Sequence, residues 1–275
     1  MSDYIIKKPD VFSLDLILDC GQAFRWKKEG NIYSGVAFGK YLELEEKEDK
    51  LVFYNTKESD FENIWRRYFD YDTDYRAIIN SYDDTYLKKA VSDFEGIRIL
   101  RQEPWETLCS FIISQNNNIP RIKAIIDRLC SSFGEREGKS YTFPGAEKIA
   151  NLKEDDLAPL RAGFRNKYII DAARKVAGGE IDFRKIADSD IETGREELKK
   201  IKGVGDKVAD CTLLYGFYKI DAFPKDVWVK RIITELYPDG LPSCIKKSRG
   251  IAQQYLFHWR RNIDWNQTSL LTKTP

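Results

Sequence analysis

A lysine and an aspartate 19 positions apart frame the part of this chain best suited to covalent chemistry. Lys207 stands in Ile201-Lys202-Gly203-Val204-Gly205-Asp206-Lys207-Val208-Ala209-Asp210-Cys211, and Asp226 closes Phe223-Pro224-Lys225-Asp226. Gly203 and Gly205 flank Val204 in a tight turn between two helical patterns. Without a Cβ, glycine lets the backbone turn sharply and lie against another surface. The amides opening the next helix then point outward, where a phosphate is favoured. An ammonium at such a helix start is disfavoured by the dipole, which promotes the neutral amine that nucleophilic attack requires. As a purely structural residue, Lys207 would be a solvated lysine in a slightly unfavourable place. Asp226 precedes an apolar-periodic run (Val229, Ile232, Ile233, Leu236) and so reads first as a helix N-cap. A capping carboxylate is also an anion that can steady positive charge developing beside it.

Three other strings stand out. In Ser114-Gln115-Asn116-Asn117-Asn118-Ile119-Pro120-Arg121, three asparagines precede a helical pattern. One suffices for a cap, so the others are spare amide donors and acceptors. In Arg161-Ala162-Gly163-Phe164-Arg165-Asn166-Lys167-Tyr168, Gly163 reads as a helix stop beside an aromatic that would ordinarily be core. Asp19-Cys20-Gly21-Gln22-Ala23-Phe24-Arg25-Trp26 looks locally like a turn into a strand, and Ala252-Gln253-Gln254-Tyr255-Leu256-Phe257 like a plain amphipathic helix.

These strings must be positioned by the rest of the 275 residues, enough for a substantial core in two parts. Ile32, Ser34, Val36 and Phe38 alternate, Tyr41 to Glu45 mixes apolar with acidic residues, and Leu51 to Tyr54 is a short apolar run. These predict antiparallel strands half exposed to water, with Ile32 to Phe38 presenting one face. Phe61, Ile64, Trp65 and Tyr68 then predict an amphipathic helix. Beyond Tyr86 helices dominate: Ile122 to Phe133, Tyr168 to Val176 ended by Gly178-Gly179, and Val229 to Leu236. Composition and period change near residues 85–100.

The net charge of +1 does not by itself suggest nucleic acid, and its uneven distribution, which chance scatter over solvated faces would also give, only says where a DNA face would lie. Residues 1–95 hold 14 Lys+Arg against 20 Asp+Glu, and the remainder 31 against 24, so a DNA face is expected on the later part. The five cysteines are odd in number and widely spaced, without a C-x-x-C pair. That argues against a zinc site or disulfide framework and fits a reducing cytoplasm. No signal peptide or membrane-length apolar run is recognisable. One histidine, His258, excludes multi-histidine metal sites and is the sole candidate for a histidine base.

Taken in order, from about Leu16 to Phe257, the motifs resemble the 8-oxoguanine DNA glycosylase/AP lyase family of the helix-hairpin-helix (HhH-GPD) superfamily. The resemblance implies an α+β fold. A twisted antiparallel N-terminal sheet domain (TBP-like, residues 1–95) would precede an all-α helix-hairpin-helix catalytic domain (residues 96–275). It implies that Lys207 attacks C1′ of a flipped nucleotide and forms a Schiff base, that Asp226 assists, and that β-elimination cuts the strand. The hairpin Gly203, Val204 and Gly205 would hold DNA phosphate. By the same resemblance Asn116 and Arg121 meet the orphaned cytosine, Phe164 is the wedge, and Arg165 is a second arginine beside it. The carbonyl of Gly21 would accept the N7–H present in 8-oxoguanine and absent from guanine. Gln253 would read the Watson–Crick edge, with Phe257 and Cys211 on the two faces of the base.

One departure is Trp228, where animal members carry a phosphate-contacting histidine; an indole cannot become cationic. The four-cysteine run of iron–sulfur relatives is absent. No metal or cofactor is expected for the chemistry, although hairpin carbonyls are available to a monovalent cation bridging to phosphate. The expected partner is damaged double-stranded DNA, with no membrane, and the expected state is a monomer. Two rivals differ in kind. A monofunctional alkyl-base glycosylase should lack Lys207 and the asparagine string, and a non-enzymatic hairpin protein needs neither Lys207 nor Asp226.

Overall fold

The computed structural model describes residues 2–263, so the last twelve positions of the helical part predicted to run to Pro275 lie outside the described residues. Five antiparallel strands form the N-terminal sheet: β1 (Tyr4–Lys7), β2 (Lys27–Glu29), β3 (Ile32–Ala37), β4 (Lys40–Lys47) and β5 (Lys50–Tyr54), in the order β1-β5-β4-β3-β2. Leu42 and Leu44 of β4 turn inward, while Glu43 and Glu45 face the other side and bind Tyr41, Tyr54 and Lys139. Register places Tyr33 of β3 opposite Leu44.

That register corrects the expected face of β3. Ile32 and Phe38 are exposed and Ser34 is half-buried, whereas Tyr33, Gly35 and Ala37 of the opposite face are buried; of the expected set only Val36 is buried as well. The cause is Trp26, whose ring lies directly on Gly35, where a Cβ would collide with it. A one-residue shift of face follows from a bulky partner that alternation alone does not reveal. The expected helix over Phe61 to Tyr68 forms, but its middle, Phe61–Trp65, is π-helical. The wider turn lets Phe61, Trp65, Tyr68 and Phe69 all enter the sheet's aromatic core beside Trp26 and Phe53.

The remaining described chain is mostly helical. Its one departure from all-α is a small hairpin, Arg136–Glu137 with Ser140–Tyr141. The helices Tyr75–Asn80 and Thr85–Asp93 contribute to the same core as the long helix Arg249–Asn262. Two buried polar hubs tie sheet to helices. Arg98 donates to the carbonyls of Asp10, Val11, Asp70 and Thr73, and Asp70 accepts from Thr73, Tyr75, Arg101 and Tyr218. Buried polar groups this fully paired fix the relative placement of the elements they join.

Candidate active site

The helix Ile191–Lys199, the turn through Gly203 and Gly205, and the helix Asp206–Cys211 form the hairpin unit. Arg195 holds Asp210 at 2.8 Å, fastening the second helix to the first. Gly203 has φ +79°, and a Cβ there would collide with the ring of Tyr168. Glycine is therefore required twice over, by conformation and by space. Gly203→Ala is expected to cost about 2 kcal/mol and to lower Tm by about 4–8 °C, read by thermal unfolding. An unchanged Tm would mean that Tyr168 moves aside freely. Val204 is buried, and Gly205 caps the second helix without any side-chain bond, leaving that helix's first amides uncapped.

A cleft of about 1290 Å³ opens beside this unit. Ser114 to Asn117, Gly205, Lys207, Phe223, Asp226 and Trp228 are on its walls. Lys207 is half-buried, 3.2 Å from the Ser114 hydroxyl and 4.9 Å from the centre of the Phe111 ring. Ser114 Oγ donates to the Phe111 carbonyl, so its lone pairs are available to the Lys207 amine. Asp226 caps the helix Val227–Leu236, its Oδ1 accepting from the Val229 amide at 2.8 Å. The sequence-based N-cap is therefore present, and the carboxylate it fixes faces the cleft that holds Lys207.

The three asparagines divide their work. Asn118 caps the helix Ile119–Phe133 through the Arg121 amide, and Asn117 folds back onto the Ile113 carbonyl. Asn116, at φ +46° and exposed, keeps its side-chain amide free of hydrogen bonds among the described residues. Arg121 is exposed beside it. Arg165 is placed differently: it is 3 % exposed, and its guanidinium donates to the carbonyls of Gln115, Asn116 and Ala162. It braces the asparagine loop from behind. Phe164, 46 % exposed, projects at the start of the next helix with that guanidinium 4.4 Å from its ring centre.

The residues expected to read the base lie deeper. Gly21, at φ +86°, is in contact range of Phe257 despite 236 positions between them: a Cβ on Gly21 would lie 3.5 Å from the ring. Gln253 is buried one turn before Phe257, and its Oε1 has no hydrogen-bond partner. Cys211 is buried beside Lys207, and burial pushes its thiol up to about 12, so it stays a neutral, polarisable surface. His258 is packed on Phe94; burial and the charge of Arg261 lower it to about 4, and it is not on the cleft wall. That removes the one histidine as a base.

Sequence reasoning missed the scaffold joining these two groups. Lys207 lies over Phe111, Phe111 stacks on Tyr215 with centroids 5.4 Å apart, and the Tyr215 hydroxyl donates to Gln254. Gln254 in turn donates to the Cys20 carbonyl at 2.9 Å, and Gln102 donates to the Gln22 carbonyl at 2.8 Å. Gly21 is thus held from both sides. The only available signal was the doubled glutamine at 253–254, which names no partner.

Residues 4–108 match the 8-oxoguanine DNA glycosylase N-terminal domain, and residues 109–242 match the HhH-GPD superfamily base excision DNA repair proteins. The N-glycosylase/DNA lyase of Saccharomyces cerevisiae is 33% identical over 255 residues, 80% of this chain and 67% of that protein. Among solved structures, MBOgg1 in complex with a low-affinity DNA ligand is 42% identical, with a TM-score of 0.89 over 95% of this chain and 96% of its own. The Clostridium acetobutylicum 8-oxoguanine glycosylase/lyase, bound to double-stranded DNA with cytosine opposite 8-oxoG, is 40% identical. Its TM-score is 0.88, covering 94% of this chain and 95% of that one.

Proposed function

We propose that this chain, which belongs to the 8-oxoguanine DNA glycosylase/lyase family of base excision repair, excises 8-oxoguanine from duplex DNA through a Schiff base on Lys207. The observation that carries the mechanism is the pairing of an amine with a fixed carboxylate in one cleft large enough for an extruded nucleoside. The neutral amine of Lys207 bonds to C1′ while the C1′–N9 bond breaks, its electron pair leaving with the base, which takes up a proton. Asp226 stabilises the positive charge that C1′ and the ring oxygen carry in between. Opening of the sugar at O4′ gives the imine; loss of a C2′ proton then expels the 3′ phosphate.

The carbonyl of Gly21 and the unpartnered Oε1 of Gln253 suit a purine with an extra N–H and an exocyclic amine. Leaving a buried acceptor against a lone pair costs about 1–3 kcal/mol, so guanine would be refused by roughly tenfold to a hundredfold at such a contact. Incubation with an 8-oxoguanine duplex and borohydride tests the reading. A covalent protein–DNA adduct is expected, and none should form with an undamaged duplex.

The free amide of Asn116 and the exposed Arg121 support recognition of the base left behind, cytosine in preference to adenine. A guanidinium presents donors in a fixed fork that suits the O2 and N3 acceptors of cytosine. Single-turnover excision should be faster opposite cytosine than adenine by roughly ten to a few hundred, about 1–3 kcal/mol per good contact. Arg121→Ala should reduce that ratio. Equal rates opposite both bases in the unaltered protein would remove Arg121 from this role.

A further inference from the structure

Val227 and Trp228, the first two residues after the Asp226 cap, are on the cleft wall and unusually open, at 64% and 37% exposure. Water in contact with this apolar surface is unfavourable, so a stable cover is expected during function. The indole is held in place. Arg231 and Arg260 lie 5.4 and 5.9 Å from its ring centre, and Arg260, with a side chain 10% exposed, comes from the helix Arg249–Asn262. Around this step Lys225, Lys230, Lys246 and Arg249 are on the same cleft wall, and Arg231 is at the surface. The wall also carries Asp190, Glu192, Asp206, Asp210 and Asp221, so the cations nearest the step in sequence, Lys225, Lys230 and Arg231, are the ones that set its character. An apolar step between such cations matches a nucleic-acid strand, whose uncharged sugars alternate with phosphates.

We propose that Val227 and Trp228 form a charge-neutral docking step for the damaged strand, packing on the deoxyribose of a nucleotide next to the extruded one. Lys225, Lys230 and Arg231 then take the flanking phosphates. This inference rests on the glycosylase reading above. The step adjoins Asp226, so it holds the sugar–phosphate track against the carboxylate that must meet C1′. Its contribution to affinity carries no counterion release, which distinguishes it from every lysine and arginine contact around it.

The test uses the full chain and a duplex bearing a tetrahydrofuran abasic analogue, with affinity measured by fluorescence anisotropy over a series of salt concentrations. Trp228→Ala, which removes the apolar surface buried on the sugar, should weaken binding by roughly tenfold at every salt concentration, leaving the slope of log affinity against log salt unchanged. Trp228→Phe, which keeps an apolar ring, should stay within about threefold of the unaltered protein. Arg231→Ala should reduce the slope by about one. Undiminished affinity in Trp228→Ala, or a slope shifted by about one in that variant, would overturn the docking step. If the unaltered protein bound abasic and intact duplexes alike and excised no 8-oxoguanine, the glycosylase reading would fall and the docking step with it.

Discussion

Lys207→Gln should yield no borohydride-trapped adduct, and base excision should fall by about four to six powers of ten, the range seen when one catalytic residue is removed from a site whose parts act as a unit. Affinity for the damaged duplex should change by only a few-fold. Glutamine nearly matches the length of lysine and retains an N–H for the Ser114 hydroxyl, which lies 3.2 Å from the amine. It cannot form an imine. It also removes the cation over the Phe111 ring, a contact of about 0.5–1 kcal/mol where partly exposed, too little to disturb the fold. Trapping gels and anisotropy on the same preparation separate the two effects. Adduct formation as strong as in the unaltered protein would assign the chemistry to another amine of the cleft, with Lys225, Lys230 and Lys246 as the first to examine.

Much of this site is legible in the sequence because its parts are local. A cap, a tight turn and a helix start are each set by a few neighbouring residues. Asp226 before the run Val229 to Leu236, and Asn118 before Ile119–Phe133, therefore do what their positions predict. The family motifs then select which local feature carries chemistry. The α+β plan follows equally well, from a change of period beyond the strands.

What stayed hidden is through-space. The edge strands β1 and β2 are short, and Lys27–Glu29 has no apolar residue to signal a face. Strand β3 buries Tyr33, Gly35 and Ala37 in addition to Val36 because the ring of Trp26, just before β2, lies on Gly35, a demand that alternation within β3 does not reveal. Arg165 reads as an arginine beside a wedge, yet its guanidinium meets three carbonyls, two of them about fifty positions away. Ser114, Gln102 and Gln254 serve the site only through partners that no spacing announces. Residues that carry chemistry stand in local motifs, whereas those that hold them are recognised only once the fold has brought their partners together.

Asp226→Asn separates the two duties of one side chain. Asparagine caps helices about as well as aspartate, so the 2.8 Å bond to the Val229 amide should persist and Tm should move little. The negative charge is lost, and with it the stabilisation of a transition state in which the sugar is more positive than in the bound substrate. Only interactions stronger in the transition state accelerate the reaction. Single-turnover base excision should therefore drop by about two to three powers of ten, the usual scale for removing one preorganised electrostatic contact. Duplex affinity should be unchanged or slightly improved, since a carboxylate near the phosphate track repels it. Strand cleavage at a preformed abasic site, which bypasses the loss of the base, should suffer less than excision does. Full excision activity in Asp226→Asn would leave the residue a cap alone, and a large fall in Tm would show that the cap needs the charge.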